Sequence, residues 1–162
     1  MFTTNNTSLS LHFTLSEALK SPTAEHDHIV NQPTNSTVSV MVMAAAKLEV
    51  VRQLLNRPMN ISSWYRCPEL NAAVGSKPTS QHIKGEAIDF ECPDFGTPLE
   101  VCKFIVANKD KIQFDQLILE HTWVHISFPI TSGEAPRLEV LSLLATGGYS
   151  HGLTDKEGKE YV

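Results

Sequence analysis

Phe114-Asp115-Gln116-Leu117-Ile118-Leu119-Glu120-His121-Thr122-Trp123-Val124-His125-Ile126-Ser127-Phe128 is a pair of β-rich runs separated only by His121 and Thr122. Branched and aromatic residues dominate both runs, and no glycine or proline interrupts either. The spacing predicts a tight antiparallel hairpin, although His-Thr is not a favoured two-residue turn. With that turn, Glu120 lies opposite Trp123 and Ile118 opposite His125. Side chains alternate along a strand, so Glu120, Trp123 and His125 are expected on one face. Glu120 and His125 are then diagonal neighbours, with Cα atoms about 7–8 Å apart. A one-residue slip of the turn would break that arrangement.

Outward from the hairpin, Ala87 to Glu91 alternates and reads as a strand, as do Asn60 to Tyr65 and Leu138 to Leu143. Between Ser36 and Asn56, Met41, Ala44, Ala45, Leu48, Val51, Leu54 and Leu55 recur mostly at steps of three and four. That period predicts the main core helix, ended by Arg57-Pro58. Thr97 to Asn108 reads as a second amphipathic helix, and Pro68 to Val74 as a short one opened by its proline. Ser16 to Leu19 reads as a helical turn. Residues 21–37 hold two prolines and many small polar residues, and read as a long loop. Residues 1–10 are expected to be a flexible lead-in, 11–146 the folded domain and 147–162 a loose tail. Strands grouped mainly late, with helices before and between them, predict an α+β domain.

The chain has 162 residues, which suits one domain able to build a core without disulfides. A net charge of −5 argues against a general phosphate-backbone binder. Cys67, Cys92 and Cys102 are odd in number and at no metal-like spacing, so they read as reduced, mostly buried thiols. Met1-Phe2-Thr3-Thr4-Asn5-Asn6 has neither a basic nor an apolar stretch, so no signal peptide is expected. The apolar run from Val38 to Ala46 is far short of the ~20 residues that span a bilayer.

Chemistry concentrates in Ser80-Gln81-His82-Ile83-Lys84-Gly85-Glu86-Ala87-Ile88-Asp89 and in His125. His82, Asp89 and His125 offer two imidazoles and one carboxylate. Catalytic zinc sites use such three-ligand sets and leave a fourth position open. His82 and Asp89 are spaced for a loop ligand followed by a strand ligand, with Gly85 turning the chain between them. A zinc ion held there would polarise a carbonyl and acidify a water, and Glu120 would act as the catalytic base, later returning the proton to a leaving amine. His121 is the runner-up base but is expected on the opposite face. No Gly-x-Ser-x-Gly elbow points to a covalent nucleophile. Arg66 either captures a substrate carboxylate or is structural. Trp64, Tyr65 and Trp123 either line a cleft or belong to the core. His26-Asp27-His28 reads as solvated.

The pattern Ser80-x-His82-x-x-Gly85-x-Ala87-x-Asp89 followed by Trp123-Val124-His125 resembles the zinc D-alanyl-D-alanine carboxypeptidase family of peptidoglycan peptidases, most closely its compact phage endolysin branch. The segments Ile61 to Arg66, Asn71 to Gly75 and Phe114 to Ile118 share in the likeness. The resemblance implies zinc ligands at His82, Asp89 and His125, and substrate-holding roles for Arg66 and Ser80. Several relatives place the catalytic acid three residues before the last ligand, here Thr122, whereas the compact branch places it where Glu120 stands. The implied fold is a small α+β domain with a central antiparallel sheet flanked by helices. The implied partners are peptidoglycan stem peptides, with no nucleic acid and no membrane insertion, and the chain is expected to act as a monomer. It would be made in the host cytoplasm and act on the cell wall after release. A D,D-carboxypeptidase or dipeptidase remains an alternative, as does a wall-binding or virion protein without catalysis.

Overall fold

In the computed structural model, which describes residues 7–161, β3 (Gln116–Leu119) and β4 (Val124–Ser127) pair antiparallel with Ile118 opposite His125. That is the register read from the sequence. The N–H of Glu120 donates to the carbonyl of Trp123 at 3.1 Å, closing the turn over His121 and Thr122. β2 (Ala87–Glu91) lies on the other side of β4, with Asp89 opposite His125. β1 (Asn60–Ser63), β5 (Glu139–Leu143) and β6 (Tyr149–His151) complete a six-stranded sheet of order β1-β2-β4-β3-β5-β6. Every pairing is antiparallel except that of β3 with β5. The chain returns from β4 to run parallel to β3, held where Arg137 pairs with Asp115 at 2.7 Å and Leu138 N–H donates to the Phe114 carbonyl.

One face of the sheet is the core. Ile88, Phe90, Leu117, Leu119, Val124 and Ile126 share it with the apolar stripe of α3 (Asn35–Leu55), where Met41, Ala44, Ala45, Leu48, Val51 and Leu55 are buried. The first turns of α3 carry Thr37, Val38, Val40 and Val42. Such residues cost a helix at most about 0.7 kcal/mol each. Each large apolar side chain taken out of water contributes about 1.5–3 kcal/mol, so packing decides the conformation. Asn56 ends the helix in the left-handed region, at φ 52°. α5 (Pro98–Ala107) starts from a capping box between Thr97 and Glu100 and packs against β3 and β4. α1 (Leu15–Leu19) begins with the same device at Thr14 and Glu17, and α4 (Pro68–Ala73) follows β1.

Three segments depart from the sequence reading. The loop expected over 21–37 contains α2 (Pro22–His26), capped by the Ser21 hydroxyl on the N–H of Ala24. α6 (Lys109–Ile112) adds one turn after α5. The segment expected to be a loose tail supplies β6 through backbone pairing with β5. Of the expected lead-in, residues 1–6 lie outside the described residues, while Ser8 bridges to Thr14 and Leu9 is buried. The cysteines are free and buried, as expected, and the Cys67 sulfur caps α4. No helix among the described residues is long and apolar enough to cross a membrane.

Candidate metal centre

Asp89 and His125 face each other across the β2–β4 ladder on the side of the sheet opposite the helices. Ile118, paired with His125, is buried yet lies outside the main core cluster. His82 reaches the same point from a 3-10 turn, Gln81–Lys84. The Ser80 hydroxyl accepts from the His82 N–H at the start of this turn, and Gly85 ends it at φ +77°. A Cβ on Gly85 would lie 2.6 Å from Met41 Cγ, so only glycine lets the turn sit against α3.

Trp64, in the segment after β1, fastens this turn twice. Its indole N–H donates to the Gly85 carbonyl at 2.9 Å, and its own carbonyl accepts from His82 Nδ1 at 2.6 Å. The proton of His82 is thereby assigned to Nδ1, and Nε2 is left bare. Nε2 is buried, has no hydrogen-bond partner among the described residues, and stands 3.3 Å from Asp89 Oδ2. Nδ1 of His125 lies 2.8 Å from Asp89 Oδ1. The imidazole rings meet edge to face, with centroids 5.2 Å apart. One donor atom from each of His82, Asp89 and His125 falls within 4.8 Å of the other two, so the group could hold a metal ion.

The electrostatics suit a cation. Burial pushes His82 towards its neutral form despite the nearby Asp89. Burial pushes the Asp89 carboxyl up, but its close contacts with His82 and with His125 Nδ1 outweigh this and hold the carboxyl well below the usual range. A neutral imidazole and an ionised carboxylate are the forms that bind a divalent ion. An orphaned, buried imidazole nitrogen beside an N,O donor set fits zinc.

Glu120, opposite Trp123 at the turn, is half-buried two register rows along the hairpin from His125. Burial and the charge of Asp89 raise its carboxyl, while His125 opposes the shift. A raised carboxyl suits proton transfer in both directions. His121 is exposed at the tip of the turn and does not join the metal cluster. Arg66 approaches from the β1 side, with Nη2 3.6 Å from Asp89 Oδ2 and Nε donating to the Ser63 hydroxyl. Burial lowers its pKa and Asp89 opposes this. A guanidinium stays charged even so. His26 lies by its neighbour Asp27, largely exposed and away from the centre.

Two supports escaped the sequence reading. Asn31 sits in the segment read as a loop and clamps the chain around Arg66. It donates to the carbonyls of Leu19 and Tyr65 and accepts from the Cys67 N–H. Asp115 binds the Gln81 amide at 3.1 Å and Arg137, tying the metal turn to β3. A single Asn in a polar stretch and an Asp at a strand start are too common to announce either role. Trp64, which the sequence assigns to either core or cleft, is core, 1% exposed.

A family model described as Peptidase M15 matches residues 11–127. The matched stretch contains β1 to β4 and all three members of the cluster, and ends before β5. Comparison with curated proteins gives no match.

Proposed function

Because this chain belongs to the peptidase M15 family, we propose that it is a zinc-dependent peptidase hydrolysing amide bonds in the peptide part of bacterial peptidoglycan, as an endopeptidase of the phage endolysin type. His82 through Nε2, His125 through Nδ1 and Asp89 through its carboxylate would hold the ion. When bound, zinc supplies Lewis acidity towards the scissile carbonyl and towards an attacking water. Glu120 removes the proton from that water as its oxygen adds to the carbonyl carbon. The same carboxyl then gives the proton to the amide nitrogen as the C–N bond breaks, releasing an amine and a carboxylate. Arg66 holds a substrate carboxylate or the polarised carbonyl oxygen. Ser80 supports the His82 turn through its cap and stands near enough in sequence to share in holding substrate.

The observation that carries this reading is the bare, buried Nε2 of His82 facing Asp89 and His125, with the raised Glu120 carboxyl two register rows away. Metal analysis and mass spectrometry of digested sacculi, with and without chelator, test it. New amino termini inside the stem or cross-bridge mark an endopeptidase, whereas release of terminal D-Ala alone marks a carboxypeptidase. Glu120→Ala is expected to keep its zinc while turnover drops about 10²–10⁴-fold. Retained turnover removes Glu120 from the mechanism, and binding to sacculi without released fragments removes catalysis altogether.

A further inference from the structure

β5 and β6 lie beyond the matched stretch, yet they extend the metal-bearing face of the sheet. The register carries that face across: Asp89 pairs with His125, His125 with Ile118, Ile118 with Leu141, and Leu141 with His151. Paired residues project on the same side. Two rows along, Leu143 pairs with Tyr149, and extending the β3–β5 register by one residue aligns Leu143 with Glu120. Tyr149 therefore stands in the row of Glu120, two strand spacings away, or about 10 Å. Burial, and after it the negative charges of Glu120 and Asp89, push the Tyr149 phenol up.

The surface between them is open. Leu141 and Leu143 are half-buried, and Tyr149 is 51% exposed. No hydrogen bond engages the Tyr149 hydroxyl among the described residues. The order of groups across the sheet also gives the cleft a direction. Arg66 flanks the cluster from the β1 side, whereas Glu120 stands between the cluster and Tyr149. A carboxyl that delivers a proton to the leaving nitrogen lies on the leaving-group side of the scissile bond.

We propose that the β5–β6 hairpin walls the leaving-group side of the substrate cleft, and that Tyr149 binds the peptide there, its hydroxyl donating to a carbonyl of the departing segment. This deepens the peptidase reading and rests on it. Ten ångströms of extended chain is about three residues. A single departing residue falls short of Tyr149, whereas a departing oligopeptide reaches it across Leu143. Tyr149 thus sets a preference for cuts within a chain over removal of its last residue.

The test starts from wild-type digestion of sacculi, which fixes the bond cut. Synthetic stem peptides with one or three residues beyond that bond are then compared. Tyr149→Ala is expected to raise KM about tenfold for the longer peptide, the loss of one hydrogen bond with its ring contact. The rise for the shorter peptide is expected to be less than twofold, and kcat to change little for either. Tyr149→Phe should reproduce the part due to the hydroxyl. In Glu120→Ala protein stripped of metal, the longer peptide should shift amide resonances over residues 141–151. Equal KM effects on both peptides, or stationary resonances there, overturn the assignment of Tyr149 while leaving the peptidase intact. A wild-type protein that cuts no peptide overturns the peptidase reading, and the subsite with it.

Discussion

Gly85→Ala tests whether backbone geometry, and not only ligand identity, builds the metal centre. At φ +77° an alanine is strained by about 1–2 kcal/mol. Its Cβ would also lie 2.6 Å from Met41 Cγ. Met41 is fully buried in α3 and cannot swing out to solvent, so the overlap behaves as core overpacking, about 1–3 kcal/mol. Together the two effects come to about 2–5 kcal/mol. For a domain of this size that lowers Tm by about 4–20 °C. Calorimetry in the presence of chelator reads this loss without a contribution from metal. Met41→Ala separates the two causes. Alone it should cost about 2–5 kcal/mol through the cavity it leaves. In the Gly85→Ala background it should cost about 1–3 kcal/mol less, because it also relieves the overlap. Strict additivity refutes the steric cause, and a Gly85→Ala protein that melts within about 2 °C of wild type refutes the whole argument. Zinc affinity by titration calorimetry should fall with the stability, since the same turn carries His82.

Zinc at a thousandfold excess over its Kd should stabilise the wild type by about 4 kcal/mol and raise Tm by about 8–16 °C; Asp89→Ala should abolish that increment in melts with and without chelator. In the metal-free protein burial raises the Glu120 carboxyl, so its titration followed by NMR should lie above the ordinary glutamate range, and because only the ionised form accepts a proton, kcat/KM of the zinc enzyme should fall along an acid limb as pH drops. A Glu120 titration at or below the ordinary range in metal-free protein, or a pH–rate profile with no acid limb, counts against this reading. Asp115→Asn should cost about 1.5–3 kcal/mol at pH 7 by weakening the bonds to Arg137 and Gln81. Burial raises the Asp115 carboxyl, but the Arg137 hydrogen bonds outweigh this and leave it lowered. A lowered folded-state pKa contributes stability that is present above the unfolded value and lost as pH falls through the folded one. The difference between wild type and Asp115→Asn in urea melts should therefore shrink as pH falls below the ordinary aspartate range, and a constant difference counts against the ion pair.

The parts of the fold legible in the sequence are those whose side-chain period matches their burial. The β3–β4 hairpin could be registered residue by residue because its turn is short and its two faces differ, apolar at Leu117, Leu119, Val124 and Ile126, polar at Glu120 and His125. α3 was legible from its long apolar stripe. α2 has a proper start at Ser21-Pro22, but a helix of five residues buries only Ala24 and so leaves no period to detect. β6 is three residues long, flanked by Gly148 and Gly152, and largely exposed. Its strand character comes from pairing with β5, which no local pattern records. The parallel step from β3 to β5 likewise depends on a tether between Asp115 and Arg137, 22 residues apart.

The candidate ligands were legible for a different reason: each sits in a short motif whose residue types have few other joint uses. Their geometry was not, because backbone groups from distant segments set it. A Trp64 carbonyl, 18 residues before His82, decides which imidazole nitrogen keeps its proton. Without that acceptor, either nitrogen could point inward protonated, and a proton on the inward one competes with a cation. With it, the bare Nε2 is buried against a carboxylate that is itself held ionised. A buried acceptor without a partner costs about 1–3 kcal/mol. The same protein frame that makes the metal-free pocket costly therefore makes it selective for a species that can satisfy two imidazole nitrogens and a carboxylate at once. A proton satisfies one atom, and a water donates only two hydrogen bonds. A divalent ion engages all three, so the calorimetric gain on adding zinc and the loss of that gain in Asp89→Ala are consequences of one arrangement.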